Sequence, residues 1–216
     1  MCYMQMSNFV KGVCLLISKH TVTIGIVLIL LLLPSTVHAQ GSHTDFYRES
    51  LRINNIGMAI LGTWALTNIS IGAYGWSQQS GQKAYFHQMN LFWNTVNLTI
   101  AGFALYGNLT SDYGLLTGNE LLEKQLKTQH LFLINGALDV GYIAAGSLLK
   151  YIAPRYPKNE LRLTGYGNSV ILQGSFLLVF DLVFYGLQRS HRAGFLDQLS
   201  LAPMHDAWGM ILSFHF

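Results

Sequence analysis

Four long, mostly apolar stretches alternate with shorter polar segments along the chain. They run near Leu51 to Trp76, Gln88 to Tyr106, His130 to Ile152 and Gly165 to Leu187. An apolar run of about 20 residues is what a helix needs to cross a hydrocarbon core about 30 Å thick. The pattern therefore predicts an all-α, multi-pass integral membrane protein, with four transmembrane helices in an antiparallel bundle.

The amino terminus has the layout of a secretory signal peptide. Lys11 and Lys19 precede an apolar stretch from Val22 to Leu33. The residues Val37-His38-Ala39 follow it and resemble the A-x-A motif of a signal-peptide cleavage site. We predict a signal peptide at residues 1–39, cleaved after Ala39. An uncleaved anchor helix is the alternative, although about twelve apolar residues are short for a span.

The rest of the chain divides into two predicted parts. Residues 40–189 form the transmembrane domain, with loops at 77–83, 108–129 and 150–162 between the spans. Residues 190–216 form a membrane-associated tail, in which Phe195 and Trp208 lie against the bilayer. Lys and Arg are balanced between the two sides of the predicted bundle, so the positive-inside rule does not set its orientation. The signal peptide alone places Gln40 outside.

Composition narrows the class of protein further. Hydrophobic residues make up 51% of the 216 residues and charged residues only 11%, against about 25% charged in soluble domains. The net charge of +3 comes from scattered Lys and Arg rather than a basic stripe, which excludes nucleic acid as a partner. Both cysteines, Cys2 and Cys14, lie in the leader, so the mature chain would have no disulfide or thiolate site. No cofactor or metal site is predicted.

A polar seam runs through the predicted bundle. Asn90, Asn94 and Asn97 follow the spacing i, i+4 and i+7, which places three carboxamides on one helix face. Lipid offers no hydrogen bonds, so such groups must satisfy one another across helices, at about 0.6 to 2 kcal/mol per contact. The seam predicted from the second, third and fourth spans, which is also the candidate binding site, consists of Asn90, Asn94, Asn97, Asn135, Asp139, Gln173 and Asp181.

Asp139 and Asp181 are the sharpest functional candidates in this seam. An ionised carboxylate inside a bilayer costs at least about 2.5 kcal/mol on insertion scales. No Lys or Arg lies near the centre of a predicted span to neutralise them. The two carboxyl groups are therefore expected to be protonated, or to contact water or a bound cation.

Small residues indicate where two helices approach closely. Ala137, Gly141 and Ala145 recur every four residues along the third span. Such a small-xxx-small face lets helix backbones come together in a membrane. We predict that this face packs against a neighbouring helix.

One segment of the chain, together with residues shortly before it, resembles a known family. The segment is Tyr85-Phe86-His87-Gln88-Met89-Asn90-Leu91-Phe92-Trp93-Asn94-Thr95-Val96-Asn97, and it follows Leu61-Gly62-Thr63-Trp64-Ala65 and Asn68. It resembles an uncharacterised family of small bacterial membrane proteins, a domain of unknown function, over Arg52 to about Arg189. The resemblance implies a helical membrane domain in the bacterial envelope. It implies no reaction, substrate or partner.

Three functions fit these features. The first is a structural or interaction protein of the bacterial inner membrane, whose seam fixes helix register and which assembles as a homo-oligomer or with another membrane protein. The second is a binding or transport module for a small polar ligand or cation. The third is an enzyme using the aspartates, which is least favoured because no nucleophile, metal set or phosphate loop accompanies them.

Overall fold

Residues 43–201, the part of the chain that the computed structural model describes, are entirely helical apart from short connections. The elements are α1 (His43–Gln78), α2 (Gly81–Thr110), α3 (Gly118–Ile152), a 3-10 turn (Ala153–Arg155) and α4 (Glu160–Leu201). No strand occurs among these residues, and the predicted all-α class is confirmed. The predicted signal peptide and the end of the predicted tail, with Trp208, lie outside the described residues.

Three of the four described helices are long and apolar enough to cross a membrane. They are α1, α3 together with its 3-10 turn, and α4. The 30 residues of α2 would extend about 45 Å, which is enough for a bilayer core. Its asparagines and the other polar residues between them lower its average apolarity. α2 is therefore not among the helices apolar enough to cross a membrane, and its role as a fourth span stays a prediction.

The third helix begins earlier than predicted. Thr117 accepts a hydrogen bond from the Glu120 backbone N–H, and the Glu120 carboxylate accepts one from the Thr117 backbone N–H. This capping box starts α3 at Gly118. The predicted loop at 108–129 is therefore wrong at both ends, because residues 108–110 belong to α2 and residues 118–129 to α3.

The fourth helix continues past Arg189 to Leu201. Phe195, predicted to lie against the bilayer, is instead buried and stacks on Phe46 of α1 with ring centroids 4.3 Å apart. Leu121 of α3 and Tyr47 belong to the same apolar cluster. This part of the predicted tail thus packs against α1 and α3, and the division at residue 190 stays a prediction.

The helices pack in a particular order. A tight connection joins α1 to α2, and the two helices pack along each other. Gly81, at the start of α2, adopts φ 60°, a conformation that suits glycine. α4 packs along α3 and also contacts α2 and α1. Within the described residues, the backbones of α2 and α3 do not pack against each other. A crevice therefore separates α2 from α3, with α1 and α4 behind it.

Many of the buried side chains in this assembly are polar, and many large apolar side chains are exposed. Six of the seven largest fully buried side chains are polar: Gln125, Gln173, Gln188, Asn90, Asn94 and Ser169. Large apolar residues such as Phe103, Leu131 and Val179 are exposed. Burial of these polar side chains together with exposure of large apolar ones is unusual in a water-soluble domain.

The predicted small-residue face does not pack within the chain. Ala137, Gly141 and Ala145 are exposed, and a Cβ added to Gly141 would meet no atom within 4 Å. The close approach of α3 to α4 occurs instead at Gly146, which is buried against Gly167. The prediction that this face packs against a neighbouring helix of the chain is therefore wrong, because α4 lies on another side of α3.

Candidate functional site

A closed circuit of side-chain hydrogen bonds joins α1, α2 and α4. Trp64 Nε1 donates to Gln173 Oε1 (3.0 Å), and Gln173 Nε2 donates to Asn90 Oδ1. Asn90 Nδ2 donates to Asn68 Oδ1 (3.0 Å), and Asn68 Nδ2 returns to the Trp64 carbonyl (2.9 Å). Each carboxamide both donates and accepts, so the circuit satisfies these groups without water.

Asn94 and Asn97 extend the circuit along α2. Asn94 Nδ2 donates to the Asn90 carbonyl (2.8 Å), and Asn97 Nδ2 lies 3.5 Å from Asn94 Oδ1. All three asparagines are buried, as their spacing predicted. Asn97 is the last member of this series, and it also borders a cavity between α2 and α3.

A second polar cluster lies towards the beginning of α1. Gln188 of α4 donates to the Ser50 carbonyl (3.0 Å) and accepts from Ser50 Oγ (2.9 Å), while Gln125 Nε2 donates to the Gln188 carbonyl (3.0 Å). All three residues are buried. Sequence reasoning missed this cluster because it assigned Gln125 to a loop; the Thr117-x-x-Glu120 capping signal could have revealed the helix.

Asp139 of α3 and Asp181 of α4 form a carboxyl pair. Their side chains lie within hydrogen-bonding reach of each other, and the Asn135 side chain is a neighbour of Asp181. Both aspartates are buried, with exposed fractions of 2% and 4%. A carboxylate oxygen only accepts, so a hydrogen bond between the two groups requires a proton on one of them.

One oxygen of this pair has no hydrogen-bond partner. Asp139 Oδ2 is buried and finds no donor among the described residues. Other buried polar atoms in that condition are His87 Nδ1, Gln125 Oε1, Gln129 Oε1, Ser169 Oγ and Arg192 Nε. Of these residues, Asp139 lines the cavity at the crevice. This oxygen has almost no accessible surface of its own, and it lies at the buried carboxyl pair in the cavity wall.

A cavity of about 350 Å³ occupies the crevice between α2 and α3. Its polar lining comes from Asn97, Asn135, Asp139 and Asp181. Its aromatic lining comes from Trp93, Phe132, Tyr142 and Phe180, and aliphatic side chains complete the wall. Among residues 43–201, no Lys, Arg or His lines this cavity, so no basic side chain from this part of the chain neutralises the carboxyl pair in its wall.

Trp93 and Tyr142 face each other across the crevice. Their rings meet edge to face, with centroids 4.8 Å apart and an angle of 88° between planes. Val96, Ile100 and Leu138 line the cavity yet remain more than half exposed, and Asn135 is also exposed. The cavity therefore opens sideways between α2 and α3.

The predicted seam is thus divided in two. Asn90, Asn94 and Gln173 belong to the hydrogen-bonded circuit, whereas Asn135, Asp139 and Asp181 belong to the cavity, and Asn97 touches both. The prediction omitted α1, which contributes Trp64 and Asn68 to the circuit. Asn135 is exposed at the crevice rather than enclosed. In the described part of the chain, no group of three or more His, Cys, Asp or Glu is arranged to hold a metal ion.

Comparison with known proteins identifies a family but no characterised relative. No curated protein and no solved structure shows a significant match to the chain. The family model DUF6992, which describes a family of unknown function, matches residues 60–182. The matched segment includes both the hydrogen-bonded circuit and the carboxyl pair, and it lies within the predicted resemblance. The chain therefore belongs to the DUF6992 family of unknown function.

Proposed function

We propose that this chain is a multi-pass membrane protein whose four described helices cross the bilayer as an antiparallel bundle. Three of them have the length and apolarity for this. The apolar exterior suits lipid, and the hydrogen-bonded interior removes polar groups from it. Gly62 lies beside Ala101 and Gly72 beside Leu91, a pairing that supports opposite directions for α1 and α2. The signal peptide and a bacterial inner-membrane location belong to the same proposal.

Within this bundle, the crevice binds a small cationic or polar ligand. The observation that carries this proposal is the buried Asp139–Asp181 pair in the wall of a cavity to which the described residues contribute no basic side chain. A negative charge in a low-dielectric site needs compensation by a proton or a cation. Asn97 and Asn135 add carboxamide groups that can orient a polar ligand.

A purely structural or interaction role is the second candidate, and a specific observation favours it. The Trp64–Gln173–Asn90–Asn68 circuit is satisfied internally and leaves little for a ligand to bind. Its evident effect is to hold α1, α2 and α4 in register. Assembly as a homo-oligomer, or with another membrane protein, stays a prediction.

Cation-dependent stability of the purified chain tests the binding proposal. We expect at least one of the chlorides of sodium, potassium, ammonium and 2-phenylethylammonium to raise the thermal unfolding temperature in detergent. At ten times Kd, a ligand of the folded state adds about 1.4 kcal/mol. Asp139→Asn, which keeps the side-chain size, should abolish this stabilisation.

Asp112→Asn provides the matched control. Asp112 is exposed, outside the cavity, and accepts a hydrogen bond from the Gly114 backbone (3.1 Å). The same charge change at this position should leave the cation response intact. If none of the four salts stabilises the wild type more than the Asp139→Asn variant, the binding proposal is wrong and the structural role is favoured.

A further inference from the structure

The charge of the carboxyl pair restricts the ligand that can occupy the crevice. A hydrogen bond between Asp139 and Asp181 needs at least one proton, so the pair carries at most a single negative charge. A monovalent cation neutralises that charge, whereas a divalent ion would leave a net positive charge in an apolar site. The lining thus favours a ligand of charge +1.

The size and lining of the cavity argue against a bare inorganic ion. Its volume of about 350 Å³ lies in the range of small-molecule pockets. Hard metal ions require about six oxygen ligands, but only four of the lining side chains carry a carboxyl or carboxamide group. Most of the wall would therefore contact the apolar part of a larger ligand.

Aromatic rings from three helices line the same cavity as the carboxyl pair. Trp93 comes from α2, Phe132 and Tyr142 from α3, and Phe180 from α4. The face of an aromatic ring attracts an ammonium ion, and this attraction is stronger when the pair is removed from water. Carboxylate and ring together form the combination of groups that recognises organic ammonium ions.

The sideways opening suits a ligand that partitions into lipid. Val96, Ile100 and Leu138 border the crevice and expose apolar surface between α2 and α3. An amine with an apolar body can enter the bilayer and reach this opening without crossing the polar circuit. A strongly hydrated inorganic ion has no comparable route through the apolar side of the bundle.

We infer that the crevice between α2 and α3 binds a monovalent organic ammonium ion, its charged nitrogen at the Asp139–Asp181 pair and its apolar body between Trp93 and Phe132. The inference rests on the proposed function and specifies its ligand class. No covalent step is involved. Tyr142, in ring contact with Trp93, bounds the site on the side of α3.

Titration of the full-length protein in detergent micelles tests this ligand class. The probes are 2-phenylethylammonium, its neutral analogue 2-phenylethanol and sodium ion, each followed by calorimetry. We expect saturable binding of the ammonium probe to the wild type and at least tenfold weaker binding to Asp139→Asn. The neutral analogue and sodium should each give the same titration with these two proteins. The neutral analogue also controls for partitioning of the apolar body into micelles.

Trp93→Leu separates ring recognition from charge recognition. It removes one aromatic wall and keeps both carboxyl groups, so the ammonium probe should bind about tenfold more weakly. Trp76→Leu is the control, because Trp76 lies on α1 outside the cavity. The Trp93 comparison also decides the matter if Asp139→Asn does not fold.

Each outcome separates the inference from the proposed function. Sodium binding that depends on Asp139, without binding of the ammonium probe, would overturn the ligand class and retain a cation site. Equal binding of the ammonium probe to the wild type, Asp139→Asn and Trp93→Leu would overturn the inference as well. If neither sodium nor the ammonium probe binds in an Asp139-dependent manner, the inference is wrong, and the stability test with all four salts decides the proposed function.

Discussion

Replacing Gly146 by leucine is expected to separate α3 from α4 and to cost about 3 kcal/mol of unfolding free energy, at the upper end of overpacking effects. A Cβ at Gly146 would lie 2.8 Å from the Gly167 carbonyl oxygen and 3.0 Å from the Ile171 backbone nitrogen. Both contacts are with backbone, so no side-chain rotation can relieve them. Equilibrium unfolding in mixed detergent micelles, followed by circular dichroism, measures the loss.

Gly141→Leu is the matched control for this substitution. Gly141 lies on the same helix, but a Cβ there would meet nothing within 4 Å. The same increase in size should change the unfolding free energy by less than about 1 kcal/mol, since leucine also favours helix over glycine. A stable Gly146→Leu variant, or equal losses at the two positions, would contradict the described packing of α3 on α4.

Replacing Asn90 by leucine is expected to lower the unfolding free energy by about 2 to 4 kcal/mol. The substitution keeps similar bulk but removes the acceptor of Gln173 Nε2 and the donor to Asn68 Oδ1. Both partners are buried, at 0% and 7% exposure. Two buried polar groups would then lack partners, at about 1 to 3 kcal/mol each, with membrane proteins at the lower end.

Thr95→Val on the same helix controls for the loss of a polar group. Thr95 is exposed, and its hydroxyl donates only to the Leu91 carbonyl within α2. Its loss should cost less than about 0.5 kcal/mol. Equal stabilities of Asn90→Leu and Thr95→Val would mean that the circuit does not hold the helices together.

The sequence predicts which faces are buried better than it predicts which residues meet. Spacing alone placed Asn90, Asn94 and Asn97 on one buried face, because helix geometry repeats locally. Gln173, however, accepts a hydrogen bond from Trp64, which lies 109 residues away in the sequence. Periodicity within one helix carries no information about the register of another, so the circuit through α1 could not be predicted.

Polar residues that face the interior also hide helix from a search for apolar runs. Gln125 and Gln129 are buried in the first part of α3, yet the charged residues around them, such as Glu123 and Lys124, made this region look like a loop. At Gly141, by contrast, the sequence pattern predicted packing that the structure does not show. Small residues at regular spacing predicted a packed face, but the side that packs depends on where α4 lies, which local spacing does not determine.

The central claim is that Asp139 and Asp181 meet inside a membrane-spanning bundle, and paired cysteine substitution tests it most directly. Cys2 and Cys14 are first replaced, and a protease site is placed in the connection between α3 and α4. Asp139→Cys and Asp181→Cys are then combined in this protein. Carbonate-washed membranes are oxidised with copper phenanthroline and then cleaved. Val140→Cys/Asp181→Cys is the control, because Val140 is exposed on α3.

We predict that the fragments of the first pair remain joined on a non-reducing gel, while those of the control separate. The chain should also stay in the washed membranes. Separation of the fragments in both variants, equal cross-linking of both, or release of the chain by carbonate would contradict the account.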